Sequence, residues 1–176
     1  RLSTTVLNAY LQPVLGDYIQ KLERSVAARA PNATLGINQS SGGLMSIERS
    51  RRYPIRTALS GPAAGVIGAI HAARPSNRSD LITLDMGGTS ADICLIRNLN
   101  AELSFGREVA DFPIRLPMVD INTVGAGGGS IATIDNMQRI NVGPESAGAD
   151  PGPAAYDRGG RNATLTDANI VLGRLN

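Results

Sequence analysis

The sequence predicts an α/β fold in which helices lead into short antiparallel strands built around a glycine-rich loop. Apolar residues recur at helical spacing over residues 3 to 29 and 60 to 73, and short apolar runs joined by tight turns begin at residue 81. Two glycine clusters each follow a strand-like run directly. With 42% hydrophobic and 18% charged residues, the 176-residue chain has the composition of a globular protein that can form an apolar core.

The first predicted element is a long helix over residues 3 to 29. Its apolar residues return every three or four positions and so form one face. Ser3 or Thr4 can cap its N-terminus, whereas Pro13 and Gly16 predict a kink or a break inside it. The predicted apolar face consists of Leu7, Leu11, Val14, Leu15, Ile19, Leu22 and Val26.

Shorter elements follow up to residue 73. We expect a strand over residues 34 to 40, a short helix over 46 to 52 and a buried strand over 55 to 59. The next helix runs to about Ala73. Pro62 would stand at its first position, where the missing N–H costs nothing.

After the polar residues 75 to 79 the pattern changes from helical to strand-like. Three apolar runs, over residues 81 to 84, 91 to 97 and 101 to 109, are separated by tight turns. They predict an antiparallel three-strand meander around the first glycine cluster. We therefore place a domain boundary between residues 76 and 77.

The rest of the chain predicts more short strands. They are expected over residues 119 to 124, 131 to 135 and 138 to 142. Residues 143 to 163 are rich in Gly, Pro, Ala and Asp and predict a loop. Thr166-Asp167 can cap a final helix.

Composition and charge exclude several classes of function. The one cysteine, Cys94, excludes an internal disulfide framework, and no apolar run approaches the roughly 18 residues of a membrane span. No aromatic ladder of the kind used in nucleic-acid binding accompanies the arginines between residues 49 and 56, and the net charge is only +2. With no signal peptide in the sequence, we expect a cytoplasmic protein that binds neither nucleic acid nor a membrane. Because the chain begins at Arg1 rather than Met, we expect an internal segment of a longer protein.

The stretch that begins at Asp85 has the most informative chemistry. Asp85 ends a buried strand, and Gly87, Gly88 and Thr89 turn the chain into the next one. Glycines leave backbone N–H groups uncovered, so that a phosphate can approach closely, and the hydroxyls of Thr89 and Ser90 can add hydrogen bonds. A carboxylate repels a bare phosphate, so the natural partner of Asp85 is Mg²⁺ or a water bound to it. The alternative is a hairpin whose glycines only make the turn.

A second glycine cluster, residues 125 to 130, also ends a strand. Four glycines in five residues exceed what a turn needs. They predict a close approach of backbone to a ligand, or a hinge beside one. The cluster does not follow a βαβ unit, which argues against a dinucleotide site. A flexible linker is the alternative.

The strand–Asp-x-Gly-Gly-Thr–strand element resembles the phosphate loops of the actin, Hsp70 and sugar-kinase ATPases, which have a ribonuclease H-like fold. That superfamily carries two such loops, one from each half, which face each other across the nucleotide cleft. Five motifs in this chain also resemble, in their order, the A-type subunit of the hydantoinase/oxoprolinase family. They are Ala58–Val66, Asp85–Asp92, Thr123–Ala132, Gly143–Pro153 and Thr164–Asn169.

The family resemblance implies an ATP-dependent enzyme that opens a cyclic amide such as a hydantoin or 5-oxoproline. ATP would phosphorylate the amide oxygen, and water would then open the ring. The implied cofactors are ATP and Mg²⁺, and the implied partner is a B-type subunit or domain within an oligomer. Asp85 would be the catalytic residue and the metal ligand, and Asp92 would brace the hairpin. The cofactor-binding residues would be Gly87, Gly88, Thr89, Ser90, Gly127, Gly128, Gly129 and Ser130, with the last four on the substrate side.

The resemblance also implies where the segment lies in the whole protein. Residues 1–76 would close the first ATPase-like half, and residues 77–176 would open the second half with its phosphate loop. The other phosphate loop would lie upstream, so the isolated segment is expected to be inactive. Asn122 stands where many members carry a histidine, and the only histidine, His71, is expected to be structural. Two alternatives stay open: an acetone-carboxylase-like beta subunit, and a non-catalytic nucleotide-binding module.

Overall fold

The computed structural model describes residues 2–109 and 111–176. The chain forms two compact units that alternate along the sequence. Unit 1 comprises Arg1–Ile82 and Cys94–Ile121, and unit 2 comprises Thr83–Ile93 and Asn122–Asn176. The predicted boundary between residues 76 and 77 falls inside unit 1. The assignment of the two parts to halves of an ATPase-like fold stays a prediction.

Unit 1 begins with helix α1 (Leu2–Arg29), close to the predicted bounds. The helix includes Pro13 without a break in its assigned span, so the predicted interruption is not found there. Of the seven residues of the predicted apolar face, Ile19 is fully buried and five are partly buried, whereas Val14 is 71% exposed. The helical period therefore identified the packed face correctly except at that position.

Helix α2 (Ile47–Arg52) follows, with Ser46 as its N-cap. The predicted strand over residues 55 to 59 is wrong, because Pro54–Thr57 forms a turn of 3₁₀ helix. Pro54 fixes its own φ near the helical value and so favours this turn over an extended chain. The N–H of Ile55 donates to the Asn8 side chain of α1 (3.3 Å), which ties the turn to the first helix.

Helix α3 (Ser60–Ala73) has the predicted span, although Pro62 is its third residue rather than its first. Leu59, before it, has a left-handed backbone (φ 57°). One face of α3 packs into the larger apolar cluster of unit 1, which gives the helix a firm tertiary contact. The buried members of this cluster are Ala63, Val66, Ile70, Cys94, Ile96, Val119 and Ile121.

Short antiparallel strands complete unit 1 and extend into unit 2, which confirms a mixed α/β architecture. The predicted third strand of the meander, residues 101 to 109, is divided in two. Its first residue belongs to a strand that pairs with the second strand of the meander, while residues 103 to 109 pair with a strand that the sequence did not predict. The strands of unit 1 and of the meander are β1 (Ile37–Asn38), β2 (Leu44–Met45), β3 (Leu81–Met86), β4 (Ala91–Arg97), β5 (Asn100–Ala101), β6 (Leu103–Val109) and β7 (Phe112–Val119).

The hairpin of β6 and β7 supplies a second apolar cluster in unit 1. Ile114 and Met118 of β7 are each 1% exposed and pack with Ile55 of the 3₁₀ turn. Leu7 and Leu11 of α1 lie against them. This cluster joins the first helix, the 3₁₀ turn and the hairpin.

Unit 2 is built from the remaining strands and one short helix. Strand β8 (Asn122–Val124) pairs antiparallel with the start of β4. Strands β9 (Ser130–Ile134) and β10 (Ile140–Ser146) lie close to the two predicted strands and form a hairpin, although β10 extends into residues that were predicted as loop. The final helix, α4 (Leu165–Val171), is capped by Thr164 rather than at the predicted Thr166-Asp167. Within residues 2–109 and 111–176, no helix is long and apolar enough to cross a membrane.

Candidate functional site

Residues 85–90, the Asp85 turn, join β3 to β4 in unit 2. Asp85 is the fifth of the six residues of β3, so the carboxylate stands where the strand gives way to the turn. The N–H of Gly87 donates to the Ser90 carbonyl (2.9 Å) and closes the turn. Gly87, Gly88 and Thr89 are exposed. The strand–turn–strand context predicted for this motif is therefore confirmed, but β3 is not the buried strand that was predicted, since Ile82, Leu84 and Met86 are 73%, 63% and 49% exposed.

Residues 125–130, the glycine loop, join β8 to β9 in the same unit. The Gly127 N–H donates to the Ser130 hydroxyl (2.9 Å), and the Ser130 N–H donates to the Gly127 carbonyl (3.0 Å). Gly127, Gly129 and Ser130 are buried. These reciprocal bonds give the loop a defined shape, which is not that of a flexible linker.

The glycine loop packs backbone to backbone against the Asp85 turn. The N–H of Gly128 donates to the Gly87 carbonyl (3.0 Å), and the N–H of Gly129 donates to the Gly88 carbonyl (2.6 Å). A Cβ atom on Gly127 would lie 2.6 Å from the carbonyl carbon and oxygen of Gly88. The close approach that the glycines predicted is thus made, at least in part, to another segment of this chain.

These contacts leave the Asp85 turn with occupied acceptors and free donors. The carbonyls of Gly87 and Gly88 both accept hydrogen bonds from the glycine loop. Within the described residues, no acceptor is found for the backbone N–H groups of Gly88 and Thr89, and no donor is found for the exposed Asp85 carboxylate. Free N–H groups on a glycine turn form the kind of concavity that attracts anions.

Asp92 joins β4 to β8, rather than bracing the β3–β4 hairpin as predicted. It lies opposite Thr123 in the pairing of β4 with β8, and its carboxylate accepts a hydrogen bond from the Thr123 hydroxyl (2.5 Å). The side chain is therefore occupied in holding two strands together. Asn122, the residue beside Thr123, is exposed and lies opposite Ile93.

Other titratable groups do not gather at the turn. No group of three or more His, Cys, Asp or Glu residues that could hold a metal is found among residues 2–109 and 111–176. His71 is exposed near the end of α3. Burial raises the pKa of the Cys94 thiol, so this cysteine is a neutral core residue and not an activated nucleophile.

The start of α4 also contacts the site, which the sequence did not reveal. The N–H of Thr166 donates to the Gly128 carbonyl (2.7 Å). Gly128 therefore contacts α4 through its carbonyl and the Asp85 turn through its N–H. The residue types could have suggested a cap, because Thr164 and Asp167 stand at capping-box spacing. Nothing in that local pattern pointed to a partner 38 residues upstream.

A comparison with family models places the chain. The model described as hydantoinase/oxoprolinase matches residues 1–176, which is the whole chain. The chain belongs to the hydantoinase/oxoprolinase family. The family resemblance inferred from the order of the sequence motifs is therefore confirmed.

Two curated members of the hydantoinase/oxoprolinase family show the extent of the match. The caprolactamase subunit alpha of Pseudomonas jessenii is 41% identical over 99% of this chain and 25% of its own length. The 5-oxoprolinase of Saccharomyces cerevisiae is 41% identical over 99% of this chain and 13% of its own length. The chain thus spans a quarter or less of each of these relatives.

Two solved structures extend the similarity to three dimensions. The crystal structure of the ATP-dependent caprolactamase from Pseudomonas jessenii matches 99% of this chain and 25% of its own, at 40% identity and a TM-score of 0.77. The nucleotide-free structure of an ATP-dependent acetone carboxylase matches 90% of this chain and 22% of its own, at 31% identity and a TM-score of 0.71. Both matched proteins are described as ATP-dependent, and they differ in the reaction named.

Proposed function

We propose that this chain is part of an ATP-dependent cyclic amide hydrolase and that the Asp85 turn binds ATP phosphate. The observation that carries the proposal is which hydrogen-bonding groups of the turn already have partners within the protein. Its two glycine carbonyls are occupied by the glycine loop, while the N–H groups of Gly88 and Thr89 and the Asp85 carboxylate have no hydrogen-bond partner among residues 2–109 and 111–176. Carbonyl oxygens repel an anion and N–H groups attract it, so this division favours phosphate.

The residues present also fit a magnesium ion held between the turn and a phosphate. Mg²⁺ in phosphate-transfer sites usually takes one or two carboxylates from the protein and fills its other positions with phosphate oxygens and water. One free carboxylate, Asp85, matches that need, and a cluster of three acidic or histidine ligands is not required. The hydroxyls of Thr89 and Ser90 would add hydrogen bonds to the phosphate.

In the proposed mechanism the chain's residues position and neutralise charge, which is most of what catalysis of phosphoryl transfer requires. When bound, ATP supplies the phosphoryl group for the amide oxygen, which makes the amide carbon a better electrophile for water. Asp85 would hold the metal or its water, and the N–H groups of Gly88 and Thr89 would hold the phosphate. Gly127 supports the turn by close backbone packing, and Gly128 and Gly129 support it by hydrogen bonds to Gly87 and Gly88. The predicted contact of Gly127 to Ser130 with the substrate stays a prediction, because the N–H groups of all four are bonded within the protein.

A second candidate is an acetone-carboxylase-like reaction, in which the same turn serves the ATP-dependent activation of a ketone. The TM-score of 0.71 to an ATP-dependent acetone carboxylase is the observation in its favour. The cyclic amide reading has the higher identity and coverage on its side, with 40% over 99% of the chain for the caprolactamase structure. A partner subunit fits the cyclic amide reading, because the Pseudomonas relative is named as an alpha subunit.

The experiment is a substrate panel with the intact parent protein and its partner subunit. ATP, Mg²⁺ and one of 5-oxoproline, N-methylhydantoin, caprolactam or acetone are supplied, and phosphate release and product are measured together. We expect ring opening of a cyclic amide with matching phosphate release. Carboxylation of acetone with bicarbonate would replace the proposed reaction by the second candidate. The absence of ATP cleavage with every substrate would contradict both.

A further inference from the structure

We propose that Asp167 is a positioning residue for the Asp85 turn and acts through the cap of α4 and the glycine loop. The inference rests on the function proposed above, because the turn that it positions is the one assigned to ATP phosphate. Asp167 touches neither the turn nor its free donors. Its effect is carried by a continuous series of hydrogen bonds within unit 2.

The series begins at the Asp167 carboxylate, which connects two separate segments. Oδ2 accepts hydrogen bonds from the N–H (2.8 Å) and the hydroxyl (2.7 Å) of Thr164. Oδ1 accepts from the N–H of Ala155 (2.7 Å), in the 3₁₀ turn Ala154–Tyr156. Helix α4 has only seven residues, and so short a helix depends on its cap and its tertiary contacts. The carboxylate therefore determines where the first turn of α4 lies.

The capped turn is fastened to β9 and to the glycine loop. Thr164 is 2% exposed and forms an antiparallel bridge with Ile131 of β9. Two residues later, the N–H of Thr166 donates to the Gly128 carbonyl (2.7 Å). The Thr166 hydroxyl also lies 2.7 Å from the position that a Cβ on Gly128 would occupy, so it covers that glycine closely.

Gly128 connects the cap to the Asp85 turn. Its carbonyl is held by Thr166, and its N–H donates to the Gly87 carbonyl (3.0 Å). A displacement of the cap therefore acts on Gly87, which lies two residues from Asp85. Because the glycine has no side chain to pack elsewhere, these two bonds are its main restraints. Loss of the Asp167 contacts should loosen the turn without removing any phosphate donor.

The test uses matched variants of the intact parent protein with its partner subunit. Asp167→Asn weakens the cap with little change of shape. Thr164→Val removes the hydroxyl, and Thr164→Ser retains it. The control is Asp135→Asn, because the Asp135 carboxylate accepts from Met137 N–H (2.8 Å), Arg139 N–H (2.9 Å) and the Arg139 guanidinium (2.9 Å) within the turn of the β9–β10 hairpin. Asp135→Asn thus weakens bonds of the same kind in a turn that follows the end of β9, whereas the glycine loop precedes its start.

Two quantities are measured: the steady-state constants for ATP and for the cyclic amide, and hydrogen exchange of the peptide that covers residues 125–131. We expect Asp167→Asn and Thr164→Val to raise KM for ATP by about tenfold or more, as changes to supporting residues commonly do, with a smaller effect on KM for the amide. Exchange over 125–131 should become faster in the same variants, because the bonds that protect Gly128 and Gly129 open more often. Thr164→Ser should restore both values, and Asp135→Asn should change neither.

Different outcomes separate this inference from the proposed function. If Asp167→Asn lowers Tm as Asp135→Asn does, yet leaves KM for ATP and the exchange of 125–131 at wild-type values, the positioning role is refuted. If the wild-type protein cleaves no ATP, the proposed function fails. Hydrogen exchange of residues 125–131 alone then tests the positioning role of Asp167. Faster exchange in Asp167→Asn would support it, and unchanged exchange would overturn it.

Discussion

Replacement of Gly127 by Ala should displace the Asp85 turn, and the structure sets the size of the effect. The added Cβ would lie 2.6 Å from the carbonyl carbon and oxygen of Gly88 and 2.7 Å from the nitrogen of Thr89. Carbon atoms in favourable contact are about 3.5 Å apart, so one backbone must move by about 1 Å. All three atoms belong to the main chain, so no side chain can rotate away. Gly127 does not have a positive φ, which leaves the contact itself as the cause.

The expected loss in the free energy of unfolding has two parts. Overpacking a close contact costs about 1–3 kcal/mol. The two bonds that join the loops, Gly128 N–H to Gly87 and Gly129 N–H to Gly88, lie next to the contact. Each contributes about 1 kcal/mol net and would lengthen or break. If both bonds break, the free energy of unfolding falls by about 3–5 kcal/mol in total. Misplacement of the turn by about 1 Å should also lower ATP turnover by about 100-fold.

Chemical denaturation of the protein carrying Gly127→Ala measures the first effect, and phosphate release with ATP measures the second. The matched control is Gly65→Ala, because a Cβ on Gly65 of α3 meets nothing within 4 Å. That control should be as stable as the wild type or more stable by up to about 1 kcal/mol, since Ala favours a helix. If Gly127→Ala unfolds like the wild type and keeps its turnover, the contact between the two loops is not what holds the turn.

Three further outcomes are expected. Thr123→Val removes the hydroxyl that donates to Asp92 (2.5 Å) while keeping a residue suited to a strand. Chemical denaturation should show a free energy of unfolding lower by about 1 kcal/mol. An unchanged value would mean that this bond between β4 and β8 is dispensable. Ser46→Ala removes the N-cap of α2 and should lower the free energy of unfolding by about 1 kcal/mol in the same assay. An unchanged denaturation midpoint would refute this. Burial alone would raise the pKa of Asp167, but hydrogen bonds led by those from Thr164 outweigh it and hold the pKa below its ordinary 3.8. The stability that this carboxylate adds is therefore present above its unfolded-state pKa and is lost as the pH falls through its lowered folded-state pKa. Acid titration of unfolding should show a shallower loss for Asp167→Asn than for the wild type, and identical acid limbs would contradict it.

Local patterns in the sequence were sufficient for the helices. The three- and four-residue recurrence of leucines placed α1 within one residue at its start and predicted its packed face. Val14 fits the same period but is exposed. The period alone does not tell where the packed face ends. The Ser46 cap and the glycine- and alanine-rich start of α3 likewise mark elements whose causes lie within a few residues.

The errors arise where a proline or a distant partner decides the structure. Residues 55 to 59 have strand-like composition, yet Pro54 starts a 3₁₀ turn that Asn8 of α1 secures. Strand β7 was not predicted, because Pro113 and Pro117 lie inside it and proline usually argues against a strand. The strand exists because β6 pairs with it along most of its length and α1 contacts it, for example through Thr4, whose hydroxyl accepts from the N–H of Arg115.

The candidate site was predictable only in part, for a physical reason. The residue types in the Asp85 turn predict phosphate binding from sequence alone, and this stays a prediction. The bonds from Gly128 to Gly87 and from Gly129 to Gly88 join backbone atoms 41 positions apart, and only the absence of side chains in the sequence indicates them. The sequence could therefore predict that something approaches the glycines closely, but it could not tell a ligand from another stretch of the same chain.

The most direct test of the central claim is ATP cleavage by the intact parent protein carrying Asp85→Asn. The control is Asp80→Asn, just before the other end of β3, whose carboxylate accepts a hydrogen bond from the Asn98 N–H (2.8 Å). With a cyclic amide present, we expect Asp85→Asn to lower the rate of phosphate release by about 100-fold or more, with a raised requirement for Mg²⁺. Asp80→Asn should cleave ATP at close to the wild-type rate. Wild-type cleavage by Asp85→Asn at the same Mg²⁺ concentration would contradict the assignment of the Asp85 turn to ATP.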